Sequence, residues 1–134
     1  MPIRGLDHVA ITCVDIEKTL DFYKNVLSAE IHYEQEWRAG KIPVVILQVG
    51  HSRMSIHDAA APAKPHAHLP TPGSEDVCFR FDGPIAEAEK LLASHGVSVI
   101  EGPVPRPAAD GTLGQSVYFR DPDGNLLELL STDG

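Results

Sequence analysis

The first half of the chain alternates between apolar and polar residues and then changes to a helical spacing. The alternation at 6–12 predicts a strand. Asp15 is a suitable N-cap for a helix predicted at 16–27, where apolar side chains recur at helical intervals. Three further strands follow in the prediction, at about 30–35, 43–49 and 53–57.

The second half repeats this order after a segment at 58–74 that four prolines interrupt. Its predicted elements are, in order, a strand at 75–81, a helix at 84–95 ended by Gly96, a strand at 97–101, a proline- and glycine-rich loop at 102–114, and a hairpin of strands 115–120 and 125–131 around the turn Asp121–Gly124. We therefore predict one domain (1–134) of two modules, at about 1–58 and 75–131, with a linker at about 59–74.

Short sequence matches relate the two halves. The segment around His8 aligns with the segment around Asp76, and the segment around His57 aligns with the segment around Glu128. Successive side chains of a strand point to opposite faces, so these four polar residues fall on the faces opposite the apolar positions of their strands. We infer a curved mixed sheet with helices on its apolar face and a part-polar face where a ligand binds.

Composition narrows the function classes. The chain has 134 residues, of which 43% are hydrophobic, as is typical of one globular domain. Eleven basic and nineteen acidic residues give a net charge of −8, which disfavours binding to nucleic acid or to an anionic membrane. No apolar run is long enough for a bilayer, the first residues lack a signal-peptide pattern, and two cysteines make no disulfide framework. A cytoplasmic protein with a small-molecule partner is expected.

The candidate chemical centre consists of His8, His57, Asp76 and Glu128. Two imidazoles and two carboxylates suit one borderline divalent ion, such as Ni, Co, Zn, Mn or Fe, and formally neutralise its charge. Four protein ligands leave a coordination position open for water or substrate, as Lewis-acid catalysis requires. Each residue alone also has an ordinary interpretation, because strand histidines are commonly structural and carboxylates commonly cap turns or pair with arginine.

Three segments resemble the vicinal oxygen chelate superfamily, which includes glyoxalase I, extradiol dioxygenases, methylmalonyl-CoA epimerase, and fosfomycin and bleomycin resistance proteins. They are Leu6-Asp7-His8-Val9-Ala10-Ile11, Phe22-Tyr23-Lys24-Asn25-Val26-Leu27 and Tyr118-Phe119-Arg120-Asp121-Pro122-Asp123-Gly124-Asn125-Leu126-Leu127-Glu128. More narrowly, Ile56-His57 and the segments 72–78 and 101–106 resemble the short glyoxalase-domain-containing proteins, some of them labelled virulence proteins.

The resemblance implies an α+β fold of two βαβββ modules, the glyoxalase/bleomycin resistance/dioxygenase fold, and assembly as a homodimer. It implies metal ligands on the first and fourth strands of each module, which here are His8, His57, Asp76 and Glu128. Glyoxalase I typically has a carboxylate where this chain has His57. Extradiol dioxygenases usually have a histidine where this chain has Asp76, so the ligand set favours a lyase over a dioxygenase.

We expect a metal-dependent lyase or isomerase of glyoxalase type, whose small substrate chelates the metal through adjacent oxygens. Glu128 is the candidate base, and Tyr118, Arg80, Arg106 and Arg120 are candidates to orient a substrate anion. The alternatives are an extradiol-type ring-cleaving dioxygenase that uses iron and O₂, and a metal-free protein that binds a drug and confers resistance.

Other polar residues receive simpler interpretations. His66 and His68 are expected to lie in a mobile loop, and the alternative is that they form a second metal-binding site. Cys78 is expected to line the polar face without acting as a nucleophile, because no base adjoins it in sequence.

Overall fold

The computed structural model describes residues 2–133 and divides the chain into two compact units, Met1–Gly73 and Ser74–Gly134. Each unit has its own four-stranded mixed sheet. The second unit has the element order strand, helix and three strands, and the first unit has the same order with an additional short helix after its second strand. The α+β fold with two βαβββ modules is therefore confirmed. Within the described part of the chain, no helix combines the length and apolar character that crossing a membrane requires.

The first unit forms a sheet of order β1-β4-β3-β2, in which β1 and β4 are parallel and the other neighbours antiparallel. Its elements are β1 (Val9–Cys13), α1 (Ile16–Leu27), β2 (Glu30–His32), α2 (Glu34–Arg38), β3 (Val45–Val49) and β4 (Ser52–Asp58). The bounds of α1 agree with the prediction because the Asp15 carboxylate accepts a hydrogen bond from the Lys18 backbone N–H at 3.2 Å, which caps the helix.

The second unit forms a sheet of order β5-β8-β7-β6, in which only β5 and β8 are parallel. Its elements are β5 (Asp76–Arg80), α3 (Ile85–Ser94), β6 (Glu101–Pro107), β7 (Leu113–Arg120) and β8 (Leu126–Ser131). Helix α3 packs on β7 and β8, where Leu92, Phe119 and Leu127 are fully buried. Burying each such side chain contributes about 1.5–3 kcal/mol. The opposite face carries Ser116, Tyr118 and Glu128 and is the open face of this sheet.

The strand expected at 6–12 begins only at Val9, so His8 lies just before it and not on it. Two further predicted elements differ more strongly from the structure. The strand expected at 30–35 ends at His32, because Tyr33 adopts a left-handed conformation (φ 64°) and residues 34–38 turn into α2. The strand expected at 97–101 is instead β6, which runs through the predicted loop at 102–114 as far as Pro107. An edge strand tolerates prolines because half of its N–H groups have no partner in the sheet.

The two halves also differ in strand register. Thr12 pairs with His57 in the first unit, whereas Cys78 pairs with Glu128 in the second. His8 therefore lies four residues from the position opposite His57, and Asp76 lies only two residues from the position opposite Glu128. A shift of two residues preserves the faces but makes the aligned halves inequivalent along the strands.

Candidate functional site

The Glu128 carboxylate lies at the centre of the open face of the second unit. Its residue pairs with Tyr118 of β7 on one side and with Cys78 of β5 on the other. Ser116, which is fully buried, donates a hydrogen bond from Oγ to Glu128 Oε2 at 2.5 Å. A short hydrogen bond to a charged acceptor is among the stronger kinds in proteins, so Ser116 orients this carboxylate.

A cleft of about 420 Å³ opens beside Glu128. Its polar groups are the Glu128 carboxylate, the Arg80 guanidinium and the Cys78 thiol. The remaining lining residues are small or apolar: Pro107, Ala108, Ala109 and Leu130. The cleft combines apolar walls with a few convergent polar groups, as small-molecule sites commonly do.

The predicted substrate-orienting residues have different surroundings. Arg80 donates a hydrogen bond from Nη2 to Thr132 Oγ1 at 2.6 Å. Arg106 donates from Nε to Tyr118 Oη at 2.9 Å, and its guanidinium carbon lies 5.6 Å from the centre of the Tyr118 ring. Arg120 donates from Nη1 to the Gly124 carbonyl at 3.0 Å, so its guanidinium is held at the hairpin turn. Arg80 is therefore the predicted arginine that lines the cleft.

Asp76 is the first residue of β5 and is exposed. The Asn125 side-chain oxygen accepts a hydrogen bond from the Glu75 backbone N–H at 2.9 Å, which fixes the start of β5 to the turn before β8. Asn125 itself is held because its side-chain amide donates to the Asp121 carboxylate at 2.8 Å. The hairpin turn that the sequence predicts thus also positions Asp76 on its strand.

In the first unit His8 immediately precedes β1, and its side chain is half exposed. His8 Nδ1 lies 2.8 Å from an Asp7 carboxylate oxygen. Donation from Nδ1 to this carboxylate leaves Nε2 as the acceptor or metal-binding nitrogen, an arrangement often found behind metal-bound histidines.

His57 in β4 is partly buried, and its Nε2 lies 3.0 Å from Ser55 Oγ. Burial lowers the pKa of His57, and the proximity of the His8 and His66 imidazoles lowers it further. The neutral imidazole, which is the form that binds metals, is therefore favoured. With Nε2 engaged by Ser55, Nδ1 is the nitrogen left for a ligand.

The four predicted ligands are divided equally between the units. Within either unit taken alone, residues 2–133 contain no group of three or more His, Cys, Asp or Glu side chains placed to hold a metal ion. The donor chemistry nevertheless fits a borderline divalent ion, because it comprises two imidazoles, each with one ring nitrogen already hydrogen-bonded, and two carboxylates.

The alternation of faces along a strand puts Ser55 on the face of His57 and Ser116 on the face of Glu128, but neither serine was assigned a role from the sequence. Both are buried, and each holds one candidate ligand through its hydroxyl group. The signal available in the sequence was a polar side chain on the same strand face as each candidate ligand. The proximity of His66 to His57, which changes the pKa of His57, was also missed because it depends on how the 58–74 segment folds back.

The reactivity of the Cys78 thiol depends on the charge of the neighbouring Glu128 carboxylate. Burial raises the pKa of the Cys78 thiol to about 12, and the negative charges of Glu128 and Asp76 contribute to the rise. The thiol is therefore protonated near neutral pH, and the thiolate that reacts with alkylating agents is scarce.

We expect Glu128→Gln to accelerate alkylation of Cys78 by iodoacetamide in EDTA-treated protein. Removing the carboxylate charge lowers the thiol pKa and raises the thiolate fraction. The rate should rise about threefold for each unit of that fall, because a less basic thiolate is also a weaker nucleophile. Mass spectrometry of the labelled peptide measures the rate. Glu87→Gln on α3 is the charge-matched control, and Cys13, which is buried, should remain unlabelled. Equal rates in wild type and Glu128→Gln would show that Glu128 exerts no field on Cys78.

Comparisons with known proteins agree with this fold. The model of the Glyoxalase/Bleomycin resistance protein/Dioxygenase superfamily matches residues 5–129. A glyoxalase domain-containing protein of Mycosarcoma maydis is 40% identical, over 98% of this chain and 70% of its own length. A virulence protein of Salmonella typhimurium is 37% identical, over 96% of this chain and 85% of its own. Its crystal structure superposes with a TM-score of 0.86, covering 98% of both chains.

A more distant likeness shows the fold alone. The fosfomycin resistance protein FosX of Listeria monocytogenes is 21% identical, with a TM-score of 0.63, and covers 98% of this chain and 92% of its own. That protein was crystallised as a variant with Mn(II) and 1S,2S-dihydroxypropylphosphonic acid.

Proposed function

The chain belongs to the glyoxalase, bleomycin resistance protein and dioxygenase superfamily, and on this premise we propose that it is a divalent-metal-dependent lyase or isomerase of glyoxalase type. Its substrate is a small molecule with two adjacent oxygen atoms. The observation that carries the proposal is the Glu128 carboxylate, which is partly buried, held by Ser116 and adjacent to a cleft.

We assign His8, His57, Asp76 and Glu128 as the ligands of one ion of Ni, Co, Zn, Mn or Fe. When bound, such an ion supplies Lewis acidity that stabilises negative charge on substrate oxygens. In each of the two histidines one ring nitrogen is hydrogen-bonded, to Asp7 in His8 and to Ser55 in His57. Such hydrogen bonds fix the tautomer of metal-binding imidazoles and therefore support the assignment. The Mn(II) bound by the FosX variant supports a divalent ion in this fold.

Glu128 is proposed to act as the base that removes a proton from the carbon beside the chelating oxygens. The Ser116 hydroxyl keeps this carboxylate in one orientation. Two side chains of the same sheet face are proposed to orient the substrate: Arg80, which lines the cleft, and Tyr118, whose hydroxyl is fixed by Arg106. Arg120 is the weakest of the predicted substrate contacts, because its guanidinium holds the hairpin turn.

The metal content of untagged protein tests the proposal. We expect near-stoichiometric metal in wild type by elemental mass spectrometry, and a loss of most of it in His57→Ala and in Glu128→Ala. Ser116→Ala removes a partner of a ligand, and such changes weaken metal binding by about 10- to 100-fold. The matched controls are His95→Ala and Glu87→Ala, which lie at or on α3, and both should retain the metal.

Different results would select the other candidate functions. Wild type that remains metal-free after incubation with each divalent ion would contradict the enzyme proposal and favour a drug-binding module. Iron as the resident metal, together with O₂ uptake on addition of a catechol, would select ring cleavage.

We also propose that the chain forms a cytoplasmic homodimer. Three large apolar side chains near its start support an interface there, because Ile3, Leu6 and Val14 are 76%, 88% and 73% exposed. Light scattering on the purified protein tests the dimer.

A further inference from the structure

The cleft beside Glu128 contains a guanidinium whose hydrogen-bonding capacity is largely unused. Arg80 carries five N–H donors, and within residues 2–133 it makes one hydrogen bond, to Thr132, and no ion pair. Its charge does act on Asp110, because it adds to the lowering of the Asp110 pKa that the hydrogen bonds from Thr112 cause. Arg106 differs, because its Nε and Nη1 donate to Tyr118 Oη and the Pro105 carbonyl, and Glu101 lies 4.0 Å away. Arg80 is therefore the arginine of this face that is best able to bind an anion.

The strand register fixes the distance between Arg80 and Glu128 along the sheet. Arg80 pairs with Leu130 and Cys78 pairs with Glu128, so Arg80 lies two residues further along the parallel strands. Two residues span roughly 7 Å at the usual rise of a strand. Both side chains line the same cleft. A molecule reaching from one to the other therefore has its anionic group only a few bonds from the atoms beside Glu128.

The other walls restrict the size and polarity of the occupant. Pro107, Ala108, Ala109 and Leu130 offer no charged group, so Arg80 is the single cation among the lining residues. The volume of about 420 Å³ is near the lower end of the range for ligand sites, roughly 300–1,000 Å³. The planar guanidinium matches a carboxylate, to which it can donate two parallel hydrogen bonds.

We propose that Arg80 forms a carboxylate subsite and that the substrate is a short 2-oxo or 2-hydroxy carboxylate with a further oxygen atom on C3, so that its oxygen-bearing carbons C2 and C3 lie beside Glu128. This inference rests on the proposed function for the role of Glu128, but the binding of the carboxylate by Arg80 does not require the metal. The chain has a net charge of −8, so a local cation is needed to attract an anionic substrate.

Two probes that differ in one group test the subsite. Hydroxypyruvate and 1,3-dihydroxyacetone both have a carbonyl next to a hydroxyl-bearing carbon, but a carboxylate in the first replaces a hydroxymethyl group in the second. We expect EDTA-treated wild type to bind hydroxypyruvate about tenfold more tightly, which corresponds to 1.4 kcal/mol. Ligand-observed NMR titration measures both affinities.

Variants assign that preference to Arg80. Arg80→Gln should bind the two probes equally, and Arg80→Lys should retain part of the preference. Lys90→Gln, which removes one positive charge from an exposed side chain of α3, should leave the preference unchanged. Because Arg80 is exposed, Arg80→Gln should fold normally, which circular dichroism checks. Equal affinities in wild type, or a preference that survives in Arg80→Gln, would overturn the inference.

The two proposals fail separately. The protein could show a carboxylate preference that depends on Arg80 and yet never bind metal. That result would support the subsite and contradict the metal-dependent function. Stoichiometric metal in a protein that does not distinguish the probes would support the function and contradict the subsite.

Discussion

Replacing Glu128 with glutamine is expected to slow hydrogen–deuterium exchange at C3 of hydroxypyruvate by about 10²- to 10⁴-fold, the usual contribution of a positioned general base. Glutamine has nearly the same shape as glutamate and can still accept the hydrogen bond of Ser116, but its amide cannot take up a proton. Loss of the C3–H signal in D₂O, followed by proton NMR, measures the rate.

Metal occupancy separates the proposed role of Glu128 as a base from its proposed role as a ligand. Exchange is therefore compared after wild type and Glu128→Gln have been loaded to equal metal content. Asp76→Asn removes the other proposed carboxylate ligand of the second unit and should affect exchange much less at equal loading. Comparable exchange in loaded Glu128→Gln and wild type would show that another group moves the proton.

The faces of the strands could be predicted from the sequence because side chains alternate with a period of two. That rule placed Ser116, Tyr118 and Glu128 together and placed Val117 and Phe119 on the helix-covered side, where both are fully buried. It also survives the shift of register between the halves, since a shift of two residues keeps every side chain on its face.

Features that depend on long-range contacts could not be predicted. The short helix α2 is held by Arg38, whose guanidinium contacts Glu34 four residues earlier and Glu17 on α1 at 2.5 Å. Local periodicity does not reveal the contact with Glu17, so the prediction extended a strand to residue 35 and assigned no helix at 34–38. The hydroxyl bond from Ser116 to Glu128 similarly requires the alignment of β7 with β8.

Prolines misled the prediction of β6 for a definable reason. Successive backbone N–H groups of an edge strand point alternately toward the neighbouring strand and away from it. Pro103, Pro105 and Pro107 recur along β6 with the same period of two, and so do the missing N–H groups. The prolines and glycines at 102–114 led to the prediction of a loop. That prediction assumed that every backbone N–H of a strand needs a hydrogen-bond partner in the sheet.

Gly102 is the residue of β6 at which substitution should have the largest effect on stability. Gly102→Ala is expected to lower the free energy of unfolding by about 2–4 kcal/mol, combining a left-handed backbone with an overpacked contact. Gly102 has φ +112°, and an added Cβ would collide with the Ser116 carbonyl oxygen and lie 3.0 Å from Val117 Cα. Urea unfolding followed by circular dichroism measures the change.

A second glycine separates the two causes. Gly111 also has a positive φ, +89°, but an added Cβ would meet no heavy atom within 4 Å. Gly111→Ala should therefore show only the backbone strain, about 1–2 kcal/mol. Equal losses in the two variants would mean that β6 moves away from β7 at no cost.

Displacement of β6 should also change the position of the Glu128 carboxylate. The added Cβ would collide with the backbone of Ser116, and the Ser116 hydroxyl donates the hydrogen bond that holds Glu128. Folded Gly102→Ala is therefore expected to bind metal more weakly than folded Gly111→Ala, by a factor approaching the 10- to 100-fold that loss of a ligand's partner produces. Gly102, which lies where the pairing of β6 with β7 shifts register between Glu101 and Val104, would then control the geometry of the carboxylate two strands away.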